Sequence, residues 1–291
     1  MLPAARVGDL HTCPMVTPGL PPVPHVGGPI LPPGAPLTFV GGPNAARLSD
    51  MATCVGPPDV IAMGSVSVLV QGLPAARQTD ASVHGGLIAV GLPTVLIGGP
   101  AFALPPNVTV DGPPLFQQQT LRDLYFLSTT PTGAALLARL GAAGEPVTIV
   151  PTNDANGYCS PSSNLFARLG IATGSTVQYN PNYRSNAYDA AGNLIAQPPQ
   201  VILAHELSHA LANSEGDHQY GTDPTPPASE PNIEEEEAQA IGTGSHTGRN
   251  PSENSLRNDL GLPARADHFG TGGPRAGEPA PLALRPGDPP L

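Results

Sequence analysis

The chain has 291 residues and a formal net charge of -11, and it contains no tryptophan; all 12 of its basic residues are arginine. Proline (39) and glycine (34) make up about a quarter of it, yet 40% hydrophobic residues argue against wholesale disorder, which needs low hydrophobicity and high charge. The acidic balance excludes a nucleic-acid partner, since phosphate contacts need clustered cations. No run approaches the ~20 apolar residues of a membrane span, and the N-terminus lacks the basic-then-apolar pattern of a signal peptide. Three cysteines (Cys13, Cys54, Cys159) point to free thiols or metal ligands rather than a disulfide framework.

The glycines and prolines recur with a period. The segment from Gly34 to Asp50 returns 30 positions later as Gly64 to Asp80, and a third, partial copy runs from Gly91 to Gly98. Each copy holds a short β-branched and apolar run closed by glycine, which predicts a strand and a turn. Strands so short bury no face alone, so the copies must pack on one another. This predicts an all-β unit over residues 1–100.

Two words within it, Pro3-Ala-Ala-Arg6 and Pro74-Ala-Ala-Arg77, resemble the signature of the PAAR-repeat family. The resemblance implies a small β-cone that caps the trimeric spike of the type VI secretion system. It also implies a structural zinc held by three histidines and one cysteine. The matching positions are His11, His25, Cys54 and His84, with Cys13 the nearest competitor to Cys54 as the sulfur ligand. A unit with so little side chain to bury gains folding energy directly from a tetrahedral zinc.

Residues 101–119 hold four prolines and few charges, which reads as a semi-rigid linker. Beyond it, residues 120–127 and 131–140 show helical spacing, with Gly141 as the stop for the second helix. Residues 147–150 and 175–179 alternate as strands. An α+β domain over residues 120–270 is expected, followed by a disordered Pro/Gly-rich tail at 271–291.

The centre of that domain is Val201-Ile-Leu-Ala-His-Glu-Leu-Ser-His-Ala-Leu-Ala-Asn213. On a helix, His205 and His209 lie one turn apart on one face and can share a metal. Glu206 is about 100° round, placed for a water rather than for ligation. This is the His-Glu-x-x-His zincin motif. A catalytic zinc needs a third ligand, and the run Glu234 to Glu237 supplies it as Glu236 or Glu237. Tyr220, His218 and His246 are further candidates to assist.

The order Tyr179-Asn-Pro181, His205–His209, the glutamate run, then Ser252-Glu-Asn-Ser-Leu-Arg257 and Arg265 resembles the zinc-dependent effector metallopeptidases of pathogenic bacteria, over roughly residues 145–268. The resemblance implies a zincin-like fold in which Glu253, Asn254, Arg257 and Arg265 brace the site. Where relatives tend to carry a tyrosine after the last arginine, this chain has His268-Phe269. The expected protein is therefore a type VI effector with a zinc endopeptidase cargo acting on a protein substrate in a target cell (periplasm or host cytoplasm). An immunity protein would accompany an antibacterial role. The alternatives are a non-enzymatic spike-tip adaptor, or a zinc hydrolase of non-peptide bonds such as cell-wall amides.

Overall fold

The computed structural model describes residues 1–154 and 157–268. The tail at 271–291 and Phe269 lie outside the described residues. The chain divides into two compact units, one of residues 1–104 and 112–122, the other of residues 105–111 and from Asp123 onward.

The first unit contains β1 (Leu2–Ala4), β2 (Val16–Thr17), β3 (Val23–Pro24), β4 (Gly27–Ile30), β5 (Ala35–Phe39), β6 (Asn44–Ala45), β7 (Met51–Cys54), β8 (Asp59–Val60), β9 (Gly64–Val70), β10 (Leu73–Ala75), β11 (Leu92–Ile97) and β12 (Ala101–Phe102). Strands β5 and β6 pair antiparallel, as do β9 and β10. The third such pair is β11 with β1, with Leu2 opposite Ile97. The partial copy at Gly91–Gly98 is therefore completed by the first residues of the chain, and one repeat is split between its two ends.

The three repeats close a ring. Ala46 N donates to Ala5 O, Ala5 N to Ala76 O and Ala76 N to Ala46 O, each at 2.9 Å. In each copy the arginine N–H caps the aspartate three residues on: Arg6 to Asp9, Arg47 to Asp50 and Arg77 to Asp80, all at 2.8 Å. The residue before each aspartate is Gly8, Ser49 or Thr79, and all three have positive φ (91°, 71° and 73°). Each donates its N–H to one buried isoleucine, Ile30, Ile61 or Ile88. Those isoleucines, the three alanines and Ala52 form a small core within the unit. Alanine is required on the axis because three backbones approach one another there, and each extra methylene would strain the packing.

The segment read as a linker is structured. It carries β12, then β13 (Val108–Val110), and α1 begins at Pro114 and runs to Ser128. Composition alone hid this because proline is tolerated at the first turn of a helix. Gln118 Nε2 donates to Ser49 O at 2.7 Å, and Arg122 Nε to Ser49 Oγ at 2.8 Å, so the start of α1 is fastened rather than free.

The second unit follows with α2 (Pro131–Ala143), β14 (Val147–Pro151), β15 (Tyr158–Pro161), α3 (Asn164–Arg168), β16 (Ser175–Tyr179), β17 (Ser185–Tyr188), β18 (Leu194–Gln197), α4 (Pro199–Glu215), α5 (Glu235–Ile241) and α6 (Glu253–Asp259). Helix α2 passes the expected stop at Gly141 and ends at Gly144, whose φ of 77° supplies the left-handed cap. The sheet order is β13-β14-β16-β15, with β13, β14 and β16 parallel and β15 antiparallel at the edge. Helix α4 packs on β15 and β16 and against α2, α5 and α6. Its residues Pro199 to Ser214 are all buried, so it has no solvent face and the moment typical of a surface helix is lost. Among the described residues no helix is long and apolar enough to cross a membrane.

Candidate metal centre

Helix α4 begins with Pro199 at a position where the missing N–H costs nothing, and it stops at Gly216, whose φ of 68° closes the last turn. Between these limits His205 and His209 lie one above the other, their Nε2 atoms 3.2 Å apart. Helix α5 brings Glu237 to the same point, with Oε2 at 3.1 Å from His205 Nε2 and 3.6 Å from His209 Nε2. Three glutamates in the first turn suit the positive end of this helix. Glu236 points elsewhere and accepts from His218 Nε2 at 2.8 Å. Of the two glutamates left open by the sequence, Glu237 is the one that joins the histidines.

Behind the histidines lies a second carboxylate. Glu253 is fully buried at the start of α6, which Ser252 caps in a reciprocal box with Ser255. Its Oε2 meets His205 Nδ1 at 3.0 Å and Arg265 Nη1 at 2.9 Å, while Oε1 meets Arg257 Nε at 2.7 Å. The sequence placed Glu253, Arg257 and Arg265 near the site but did not reveal this direct bond to a metal-facing imidazole.

The carboxylates of the buried Glu206 and Glu253 and of the half-buried Glu237 surround two imidazoles, and Glu253 pairs with the guanidiniums of Arg257 and Arg265. Burial pulls the His205 pKa down, but the carboxylates of Glu237 and Glu253 outweigh it and push it up to about 10. Glu237 and Glu253 are held well below the carboxylate range by the histidines and arginines, against the cost of burial. Glu206 is raised, because burial outweighs the attraction of His205 and His209. Two imidazole nitrogens and one carboxylate oxygen form a donor set that would suit zinc. They face a cavity of about 490 Å3 also lined by Glu206, His218, Tyr220, Arg265 and His268. His246 does not line it; it faces Glu235 at 3.6 Å.

The general-base candidate is shaped by a glycine. A Cβ on Gly157 would fall 2.5 Å from Glu206 Cγ and 2.8 Å from its Oε1, so only glycine lets this carboxylate lie where it does.

The family comparison gives one decisive match: a model for Peptidase M91, described as an effector protein, fits residues 105–268, more than half of the chain. The chain belongs to the Peptidase M91 effector family. A PAAR motif matches residues 20–90 ahead of the Peptidase M91 region. Among solved structures, this Peptidase M91 member is similar to the Clostridium botulinum neurotoxin serotype F light chain (16% identity, TM-score 0.35, 44% of each chain covered). It is similar also to the botulinum neurotoxin type D light chain (18% identity, TM-score 0.36, 44% of this chain and 43% of that one). The chain spans less than half the length of these structures. No curated protein matches it.

In the PAAR region the structure changes one expected ligand. His25, Cys54 and His84 come together, but the fourth member is Cys13, not His11. Cys54 Sγ lies 3.2 Å from both Cys13 Sγ and His25 Nδ1, and Cys13 Sγ lies 3.5 Å from His84 Nδ1. His11 is engaged elsewhere, with Nδ1 at 2.9 Å from Gly28 O and Nε2 at 3.2 Å from Asp59 Oδ2. The sequence did not separate the two because they are only two residues apart, and in an extended chain residues at i and i+2 share one face. Burial and the neighbouring Cys13 push the Cys54 thiol up to about 12 in the absence of a cation. Cys159 belongs to neither cluster; burial raises its thiol and Asn213 Nδ2 lies 3.8 Å from it.

Proposed function

We propose that this chain is a type VI secretion effector: a PAAR spike tip carrying a zinc-dependent endopeptidase that acts on a protein in a target cell. The observation that carries the peptidase reading is the convergence of His205 Nε2, His209 Nε2 and Glu237 Oε2 beside a buried Glu206 of raised pKa. A bound zinc supplies a Lewis acid and lowers the pKa of its water toward ~7. Glu206 takes the proton of the attacking water and delivers it to the leaving amine, a role its raised pKa favours. Glu253 holds the His205 ring and its tautomer, since a carboxylate on Nδ1 leaves the Nε2 lone pair for the metal.

At the tip, Cys13, His25, Cys54 and His84 would hold a structural zinc through two thiolates and two imidazoles. Asp59 steadies it from behind by accepting the His84 backbone N–H at 3.0 Å. Strands β5, β9 and β11 leave Leu37, Phe39, Val68, Leu69, Val95 and Leu96 in solvent. Repeated in three copies, these apolar faces suit docking to a trimeric spike. An antibacterial role would add an immunity protein; the target compartment is the periplasm or the host cytoplasm.

The test combines metal analysis with peptide cleavage. The full chain should hold two zinc ions, and wild type but not Glu206→Gln should cleave members of a randomised peptide library, with zinc and fold intact in both. No zinc lost on removal of His205 and His209, or equal cleavage by wild type and Glu206→Gln, would overturn the peptidase reading. Cleavage confined to cell-wall amides would replace it with a non-peptide hydrolase.

A further inference from the structure

The cavity beside the metal-binding trio holds several side chains with N–H or O–H groups, and those of Arg265, His218 and Ser185 are already committed. The Arg265 guanidinium gives Nη1 to Glu253, Nε to Asp267 O at 2.7 Å and Nη2 to His268 O at 3.0 Å. His218 is held at both nitrogens, by Asn213 Oδ1 and Glu236 Oε2, each at 2.8 Å. Ser185 Oγ donates to Gln197 at 2.7 Å. His268 differs: its imidazole lines the cavity with its side chain 42% exposed, and its Nε2 lies 3.4 Å from Glu237 Oε2.

The backbone of His268 is clamped from both sides. Its N–H donates to Glu230 Oε2 at 2.6 Å, and its carbonyl accepts from Arg265 Nη2. Because Arg265 is itself anchored on Glu253, the carboxylate that aligns His205 also helps place the His268 backbone, and the ring's Nε2 then lies against Glu237. His268 does not join the trio, whose donor atoms all lie within 4.8 Å of one another. It stands next to the carboxylate member instead, open to the cavity.

Resting on the peptidase reading above, we propose that His268 is a catalytic residue of this centre, its Nε2–H donating to the scissile carbonyl oxygen as that oxygen gains negative charge. A donor fixed before reaction stabilises developing charge without reorganising, and loss of one such donor typically costs about 100- to 1,000-fold in kcat. The ring forms no covalent bond and its proton is shared, not transferred, so the step needs no further reactant.

The test compares wild type with H268A, H268F, H268Q and H268Y on a peptide that wild type selects from a randomised library. Zinc content is measured in parallel, and calorimetry gives the affinity of a phosphinic version of that peptide. H268A and H268F should lose about 100- to 1,000-fold in kcat with KM little changed and zinc retained. They should also bind the phosphinic peptide correspondingly more weakly. H268Q and H268Y, which restore a donor, should recover most of the loss. An unchanged kcat in H268A overturns the donor role while the peptidase reading stands. Loss of zinc in H268A also overturns it, in favour of ligation. If wild type and Glu206→Gln are equally inert on the whole library, the underlying reading fails instead, and this one with it.

Discussion

Glu253 Oε2 lies 3.0 Å from His205 Nδ1, on the side of the imidazole opposite the Nε2 that faces Glu237. One ring therefore spans two carboxylates, the inner one also neutralised by Arg257 and Arg265. Replacing Glu253 by Gln keeps the shape but removes the charge. Zinc affinity at the second unit should fall about 10- to 100-fold, read by chelator competition. Two buried guanidiniums would lose their counter-charge, so stability should drop by about 3–5 kcal/mol in urea unfolding. Unchanged zinc affinity would show that the bond only braces the fold.

Gly157 offers a purely steric probe. Gly157→Ala puts a methyl group 2.5 Å from Glu206 Cγ, so the carboxylate has to move. A misplacement of about 1 Å costs on the order of 100-fold in turnover, and that loss is expected with zinc content unaltered. Full activity would mean that the base is free to shift.

The tip ligand set is tested by a paired substitution. Cys13→Ser should reduce zinc from two ions per chain to one, whereas His11→Ala should retain both. The latter leaves Asp59 short of a partner and should cost about 1–3 kcal/mol of stability. The opposite pattern of zinc loss would restore His11 as the ligand.

Asp223 anchors the loop before α5 to the segment after it. It accepts from Thr225 N at 2.7 Å, Ser245 N at 3.1 Å and Ser245 Oγ at 2.7 Å. Burial pushes its pKa up, but these donors, Ser245 Oγ first, outweigh it and leave the carboxyl below its ordinary value of 3.8. A carboxylate with a lowered folded pKa contributes stability above the unfolded pKa, and that contribution is lost as pH falls through the folded pKa. Asp223→Asn should thus destabilise by about 1–3 kcal/mol at pH 7, and the gap from wild type should close below about pH 4. Melting temperatures across pH 2.5–7 read it directly; a constant gap would remove the charge from the explanation.

Local chemistry settled much of this protein from its sequence. The spacing of His205 and His209 needs only helical periodicity to become a metal-binding face, and the glycine-closed repeats need only short range to become strands. Interactions between distant residues were beyond its reach. Nothing local could show that Gly91–Gly98 pairs with Leu2–Ala4, because the partner lies at the far end of the unit. Nor could spacing choose Glu237 over Glu236, or Cys13 over His11, since adjacent side chains in a short helix or loop diverge only once their element is docked. The bond from Glu253 to His205 crosses 48 residues of chain, and its strength comes from burial, which tertiary packing alone creates.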